Sequence, residues 1–120
     1  MNLIEFLEPD FKFENDNGLL VQLVHEGWKQ VNAIFSKGNG VRGGHYHKFN
    51  KEAFYVLSGA FKLVVWKDEK KEEYALKAGD MFLINEYVYH TFEYVEDTWL
   101  VSMYSSGVEL DEDTKDIWTE

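Results

Sequence analysis

The sequence predicts an all-β protein, folded as a β-sandwich or a small β-barrel. Three observations lead to this prediction. Apolar segments are about four to eight residues long and rich in Val, Phe, Tyr and Trp. Clusters of Gly, Asn, Asp and Lys separate these segments at short intervals. No apolar pattern keeps the helical period of about 3.6 residues over three turns, so long helices are not expected.

In the first half of the chain, turn signals alternate with four predicted strands. An Asn-Asp-Asn-Gly turn at 15–18 precedes the first strand, and Lys-Gly-Asn-Gly at 37–40 separates the second from the third. The fourth strand holds the longest apolar run of the chain and is followed by a turn signal at Ser58 and Gly59. The predicted ranges are Leu19–His25, Lys29–Ser36, Gly44–His47 and Ala53–Leu57.

Five more strands follow, between turns at 67–71, 77–80 and 96–97. Their predicted ranges are Phe61–Lys67, Glu73–Leu76, Met81–Ile84, Thr91–Val95 and Trp99–Tyr104. About nine short strands fit one small domain spanning 1–120. We expect residues 1–15 to form an N-terminal arm and residues 105–120 an acidic tail, either frayed or folded as a short helix that begins at Asp111.

Composition excludes several classes of protein. Aromatic residues make up 17% of the 120 residues, too many large rings for a disordered chain. The longest apolar run, Ala53 to Leu57, is far shorter than the roughly 20 residues that span a bilayer. With 12 basic and 22 acidic residues the net charge is −10, which argues against nucleic-acid binding. Acidic residues near the N-terminus, where a secretory signal would carry Lys or Arg, favour a cytoplasmic location. Because the chain has no cysteine, any metal must bind His and carboxylate.

The positions of the four histidines indicate a metal site. His45 and His47 are two residues apart, so they lie on the same face of a strand. Glu52 follows closely enough to add a carboxylate oxygen, and His90 lies beyond further strands and turns. Three imidazole nitrogens and one carboxylate form a site for one divalent transition metal, Zn, Mn, Fe or Ni. His25 is the spare imidazole, expected to be exposed or hydrogen-bonded in the core.

These residues and their spacing resemble the two motifs of the cupin superfamily. The first motif is matched by His45, His47, Glu52 and Gly59, and the second by Gly79 and His90. The departures from the family pattern are Asn39, Asn85, Tyr87 and Tyr94. The resemblance implies a jelly roll of the double-stranded β-helix type, with metal ligands His45, His47, Glu52 and His90.

A narrower resemblance is carried by GVRGGHYHK at 40–48 and KEAFYVLSG at 51–59. These stretches are similar to the cupin domains of nucleotide-sugar enzymes: deoxysugar 3,5-epimerases, 3,4-ketoisomerases and capsular polysaccharide biosynthesis reductases. Glu52 favours the metal-binding capsular type, because ketoisomerases usually have Gln at that position.

A basic stretch surrounds the motif, since residues 27–51 hold five bases and no acid. Arg42 and Lys48 are the candidate contacts to phosphate groups of a substrate, and the glycines beside Arg42 would let a ligand approach. Phe92 and Tyr94 alternate with His90, so we expect them to line the same pocket.

The sequence leaves three functions open. The first is a metal-dependent nucleotide-sugar isomerase or epimerase that acts beside a carbonyl, with Tyr104 as a catalytic residue and His90 as another if no metal is bound. The second is an Fe-dependent dioxygenase, and the third is a non-catalytic sugar- or metabolite-binding protein. In each case the ligand is a small anionic or sugar molecule, with no membrane or nucleic acid involved. Open strand edges and many aromatics further predict a homodimer.

Overall fold

The computed structural model describes residues 2–119, and the strands in that range follow the short apolar segments of the sequence. In chain order they are β1 (Ile4–Phe6), β2 (Phe11–Asn15), β3 (Gly18–Gln22), β4 (Gln30–Ser36), β5 (Val41–His45), β6 (Glu52–Ser58), β7 (Ala60–Lys67), β8 (Lys70–Lys77), β9 (Met81–Ile84), β10 (Tyr89–Tyr94) and β11 (Thr98–Tyr104). No helix among the described residues is long and apolar enough to cross a membrane.

Two antiparallel sheets carry most of these strands. One has the order β1-β9-β6-β11-β4, the other has the order β5-β10-β7-β8, and β2 and β3 form a separate hairpin. Each sheet is built from strands distant in sequence, as a jelly roll requires. The predicted all-β jelly roll is confirmed, although the described strands form two open sheets and no closed barrel.

The core lies between the two sheets and is built largely of phenylalanine rings. Phe54 stacks on Phe82 with ring centres 5.1 Å apart, and Phe61 stacks on Phe92 at the same separation. Alternation along each strand sends these rings inward, where Val56, Leu63 and Leu100 complete the packing. The outward residues of the five-stranded sheet, such as Tyr55 and Met103, pack under Val24 and Trp28.

The N-terminal arm is more structured than its sequence predicts. β1 pairs with β9 at the edge of the five-stranded sheet, and β2 forms a hairpin with β3. Strand β1 has only three residues, too few to show an alternation pattern. The strand predicted at 44–47 ends at His45, so Tyr46 joins only an isolated bridge to Trp118.

The acidic tail is neither frayed nor helical over the described residues 105–119. Two isolated bridges, Tyr46 to Trp118 and Glu109 to Lys115, hold it in place. The Asp111 carboxylate accepts hydrogen bonds from the backbone N–H groups of Asp113 and Thr114, so it closes a turn instead of beginning a helix.

Candidate functional site

Three histidines meet at one end of the four-stranded sheet. His45 ends β5 and pairs directly with His90 of β10, while His47 follows two residues after His45. One ring nitrogen from each residue lies within 4.8 Å of the other two. The ring centres of His45 and His90 are 4.6 Å apart, and His47 lies 5.1 Å and 5.2 Å from them.

A glycine brings the two strands close enough for this meeting. Gly43 has a φ of 111°, and a Cβ at this position would lie 2.6 Å from the carbonyl oxygen of His90. The β5–β10 register also shifts between His90 and Thr91. The glycine beside Arg42 therefore lets strand β5 approach His90, in addition to lining the pocket described below.

Glu52, the first residue of β6, adds a carboxylate to the cluster. Its Oε1 atom lies 3.0 Å from Nε2 of His47 and 3.8 Å from Nε2 of His90. Its side chain is almost fully buried. The structure therefore places Glu52 beside His47 and His90, next to the group of three histidines whose ring nitrogens lie within 4.8 Å of one another.

Backbone carbonyls fix the orientation of two of the imidazoles. Nδ1 of His47 donates a hydrogen bond to the carbonyl oxygen of Asp116 at 2.6 Å, and Nδ1 of His90 donates to that of Val88 at 3.2 Å. Because a carbonyl only accepts, both Nδ1 atoms carry the proton. Nε2 of each ring then faces the cluster with a free lone pair when the ring is neutral.

Asp116 ties the C-terminal tail to the loop that follows His47. Its buried carboxylate accepts hydrogen bonds from the backbone N–H groups of Lys48 and Phe49, at 2.8 and 2.9 Å. Asn50 Nδ2 and Trp118 Nε1 donate to the same carboxylate, at 2.8 and 2.7 Å. These four bonds hold the pKa of Asp116 below its usual value against the opposing effect of burial. Sequence reasoning missed this residue, because nothing distinguishes Asp116 from the other acids of the tail.

The three imidazoles sit in different electrostatic environments. Burial, with His47 nearby, lowers the pKa of His45 to about 4. Complete burial also drives the pKa of His90 well below its usual value, with the other two rings adding to the effect. Burial lowers the pKa of His47 as well, but the hydrogen bonds and charges of Glu52 and Asp116 together outweigh burial and raise the pKa overall.

This donor set fits a divalent transition metal. His45 and His90 are neutral at pH 7, so each has a lone pair to offer, and Glu52 supplies negative charge. The bonds from Nδ1 of His47 and His90 to carbonyl oxygens are the outer contacts typical of metal-bound histidines. Three imidazoles and a carboxylate suit Zn, Mn, Fe or Ni without selecting one of them.

A pocket of about 280 Å³ opens between the two sheets beside the cluster. The histidines that line it are His45 and His90, and Glu52 and Tyr104 line it as well. The other lining residues are Ile34, Arg42, Gly43, Phe54, Phe92, Tyr94 and Leu100. Arg42 is exposed, whereas Phe92 and Tyr94 are buried on the same face of β10 as His90. Burial and the neighbouring Glu52 raise the pKa of Tyr104, so its hydroxyl keeps its proton at neutral pH.

The sequence profile of the cupin domain matches residues 33–106, more than half of the chain. This protein belongs to the cupin family. A search of curated protein sequences finds no significant match.

Solved cupin structures share the fold. A mutant of the 3,4-ketoisomerase QdtA from Thermoanaerobacterium thermosaccharolyticum, in complex with TDP-4-keto-6-deoxyglucose, superimposes with a TM-score of 0.81 at 18% identity, over 100% of this chain and 89% of that one. The TDP-quinovose 3,4-ketoisomerase WlaRB of Campylobacter jejuni gives 0.80 at 18% identity, over 97% and 93% of the two chains.

The capsular polysaccharide assembling protein CapF from Staphylococcus aureus gives a TM-score of 0.69 at 20% identity. The match covers 91% of this chain but 33% of CapF. The histidine motif predicted a resemblance to ketoisomerases and capsular proteins. These comparisons confirm that resemblance at the level of the fold.

Lys48 and His25 both lie away from the pocket described above. Lys48 points to the tail, with its Nζ atom 3.9 Å from the centre of the Trp118 ring, and lines a separate surface cleft with Lys51 and Tyr87. His25 is exposed and pairs with Asp10. Neither is among the residues that line the pocket beside the histidine cluster.

Tyr87 occupies a position where the cupin motif has glycine. The residue adopts the left-handed backbone conformation that glycine would adopt, with a φ of 65°. Its N–H donates to the carbonyl oxygen of His47 at 2.7 Å, and its ring stacks on Tyr46. The turn before His90 therefore keeps the shape that the motif requires, despite the bulky residue.

Proposed function

We propose that this cupin is a nucleotide-sugar isomerase or epimerase that acts beside a carbonyl and uses one divalent transition metal. The observation that carries the proposal is the position of the His and Glu cluster in the wall of a pocket that also holds a protonated tyrosine and opens beside an exposed arginine. The ligand of the structurally similar QdtA, TDP-4-keto-6-deoxyglucose, has the ketone that such chemistry needs.

The pocket and a neighbouring cleft would hold different parts of a nucleotide-sugar. The pocket of about 280 Å³ is at the small end of the range for ligand sites, so it suits the sugar alone. A second cleft of about 390 Å³ shares Arg42 and Tyr94 with the pocket and adds Lys37. The guanidinium of Arg42 would bind the diphosphate where the two cavities meet, and Phe92 and Tyr94 would contact the sugar. The position of Lys48 gives it no part in this arrangement.

His45, His47, His90 and Glu52 would hold the metal. When bound there, a divalent ion polarises a carbonyl oxygen and stabilises negative charge on it. The protein must then move a proton on the neighbouring carbon. Tyr104 holds a proton on its hydroxyl beside Glu52, so it would act as the acid that returns a proton to carbon. The Glu52 carboxylate oxygen not bound to the metal would act as the base that takes the proton from the carbon beside the carbonyl. In protein without metal, the neutral Nε2 of His90 would serve as the base.

The test is solvent exchange into a 4-keto-6-deoxy nucleotide-sugar in D₂O, followed by mass spectrometry and NMR. We expect deuterium at a carbon beside the ketone, and an exchange rate at least about 100-fold lower in Tyr104→Phe. His25→Ala is the control and should exchange like the wild type, since His25 lies outside the pocket. Absence of exchange with several 4-keto sugars would overturn the proposal. Oxygen consumption with an enediol would replace it with the dioxygenase alternative.

We also infer that the protein acts as a homodimer in the cytoplasm. Large apolar side chains remain exposed on the described surface, and they include Phe11, Phe13, Val31 and Trp99. Surfaces of this kind mark sites of association.

A further inference from the structure

A surface cleft of about 1150 Å³ is lined by four lysines from two separate parts of the chain. Lys48 and Lys51 come from the loop after His47, and Lys67 and Lys70 flank the turn between β7 and β8. These four are a third of the 12 basic residues in a chain whose net charge is −10. Ammonium groups that converge on one cleft repel each other, so a bound anion would stabilise this lysine cleft.

Most of these lysines have no acidic partner in the protein. Lys70 pairs with Glu72 at 3.3 Å, whereas the other three form no ion pair with a carboxylate of residues 2–119. The acids that also line the lysine cleft are Asp68, Glu69 and Glu86. The lining therefore keeps an excess of positive charge on an acidic protein, and most of its lysines can bind an anion from solution.

An aromatic pocket of about 440 Å³ adjoins the lysine cleft, and four neighbouring rings line it. The ring centre of Tyr46 lies 6.1 Å from that of Tyr87 and 4.8 Å from that of Tyr89. Tyr89 stacks in turn on Trp66 at 5.1 Å, and the Tyr87 side chain is half exposed. The residues that line both cavities are Lys67, Asp68 and Tyr87.

The lysine cleft and the aromatic pocket are separate from the site described above. Tyr89 precedes His90 on β10, so alternation directs Tyr89 to the outer face of the sheet and His90 inward. Neither cavity shares a lining residue with the pocket beside the histidine cluster or with the cleft that holds Arg42 and Lys37. A ligand bound here would therefore leave the proposed sugar and diphosphate positions free.

We propose that the lysine cleft and the aromatic pocket together bind a nucleotide, at a second site that goes beyond the proposed sugar chemistry. Aromatic rings pack against nucleobases, and lysine ammonium groups bind phosphate oxygens. Asp68 lines both cavities, where the ribose would connect base and phosphates, and a carboxylate accepts hydrogen bonds from ribose hydroxyls. An inorganic anion would leave the rings unused, and a neutral sugar would leave the lysines without a partner.

The distribution of charge favours a single nucleotide over a nucleic-acid strand. The excess of positive charge is confined to one cleft, whereas a strand would continue across a surface of a protein with 22 acidic residues. Each phosphate beyond the cleft would then be repelled. The site therefore suits a base with a short phosphate chain.

Titration of the isotopically labelled full chain with uridine diphosphate, followed by NMR, tests the site. We expect saturable shifts in the signals of Trp66, Lys67, Asp68 and Tyr87. Lys67→Ala should weaken the affinity read from these shifts about 10-fold, because one contact to a charged phosphate is lost. Lys77→Ala, at the other end of β8, is the matched control and should bind like the wild type. Shifts confined to residues of the sugar pocket, such as Arg42, would overturn the proposal.

A second variant identifies the class of ligand. Tyr87→Gly removes one ring and suits the φ of 65° at that position, so the variant should fold. Its affinity for uridine diphosphate should fall about 10-fold, while its affinity for inorganic pyrophosphate should not change. Pyrophosphate that binds the wild type as tightly as uridine diphosphate would overturn the nucleotide. Tighter binding of a single-stranded oligonucleotide would overturn it in favour of nucleic acid.

One further variant separates this site from the sugar chemistry. Arg42 lines neither the lysine cleft nor the aromatic pocket, so Arg42→Ala should keep the shifts of Lys67 and Tyr87 even if it no longer exchanges deuterium into a 4-keto sugar. Loss of these shifts in Arg42→Ala would show that the nucleotide binds at the sugar pocket and would overturn the second site. A wild type that exchanges deuterium without these shifts would overturn the second site alone.

Discussion

The two nitrogens of His47 have different partners. Nδ1 donates to the carbonyl oxygen of Asp116, and Nε2 lies 3.0 Å from the Glu52 carboxylate. The first contact sets the orientation of the ring, and the second places it in the cluster. The geometry of the histidine cluster therefore depends on Asp116, which lies outside the cluster.

Substituting Asp116 tests this dependence. Asp116→Ala removes an acceptor that satisfies four donors, so we expect the free energy of unfolding to fall by about 2 kcal/mol or more. The backbone carbonyl that orients His47 remains in Asp116→Ala, but the bonds that hold this part of the tail in place are lost. Metal affinity, measured by competition with a chromophoric chelator, should therefore fall about 10-fold. Asp113→Ala removes an exposed acid of the same tail and should change neither quantity. Unchanged affinity in Asp116→Ala would contradict the role of the tail.

Removing one ligand tests the metal site directly. We expect wild-type protein to contain about one metal ion per chain by elemental analysis and His45→Ala to contain much less, since one of three imidazole donors is lost. His45 is only partly buried, so the variant should fold. His25→Ala controls for the loss of an imidazole and should keep its metal. Equal metal content in both variants would count against the site.

The sequence was sufficient to predict that His45, His47 and His90 come together and that Glu52 lies beside His47 and His90, although His47 lies beyond the end of β5. Asp116 could not be predicted, because its bonds to Lys48 and Phe49 depend on how the tail crosses the loop. The sequence also could not predict that Lys48 points to Trp118 and away from the pocket. Alternation along a strand does not apply beyond His45, where β5 ends.

At the scale of elements, Glu72 connects strand β8 to the start of the chain. Its Oε1 atom accepts hydrogen bonds from the backbone N–H of Leu3 at 2.8 Å and from the Tyr74 hydroxyl at 2.7 Å. The Tyr74 and Leu3 bonds, aided by Lys70, hold the pKa of Glu72 below its usual 4.5. The residues just before β1 are therefore held by an ionised carboxylate.

This connection predicts a pH dependence of stability. A carboxylate whose pKa is lower in the folded state stabilises the fold above the unfolded pKa, and the effect is lost as the pH falls through the folded value. We expect the melting temperature of Glu72→Gln to lie below that of the wild type at pH 7 and to approach it below about pH 4. A difference that stays constant with pH would exclude the ionised form as the cause. Glu69→Gln, in the adjacent turn, is the control.

Prediction of the strands succeeded where a strand has one buried and one outward face. Strand β10 alternates regularly between half-buried and buried residues, and its position follows from the sequence within two residues. Strand β2 is exposed along its whole length, so no buried face imposes a pattern on it. Its formation depends on its pairing with β3.

At the scale of the whole molecule, the metal would link both sheets. His45 and His90 lie on the four-stranded sheet and Glu52 on the five-stranded one, so an ion at the site would join the two layers across the core. Binding to the folded state alone stabilises a protein, by about 2.7 kcal/mol when the metal is at 100 times its dissociation constant.

Chelation should therefore lower the melting temperature by several degrees, and the native metal should restore it. Differential scanning calorimetry with and without a strong chelator makes the measurement. His45→Ala serves as the control, since it should melt at the same temperature in both conditions. Identical melting of metal-loaded and stripped wild type would show that the ion does not join the sheets.

The bond between His47 and Asp116 also has a consequence for how the protein is made. The two residues are 69 positions apart, and β6 to β11 are translated between them. All of those strands and residue 116 must be synthesised before the His47 imidazole can adopt its final orientation. Metal loading is therefore expected late in biosynthesis, on a chain whose sheets have already assembled, and a nascent chain halted before residue 116 should not retain the ion.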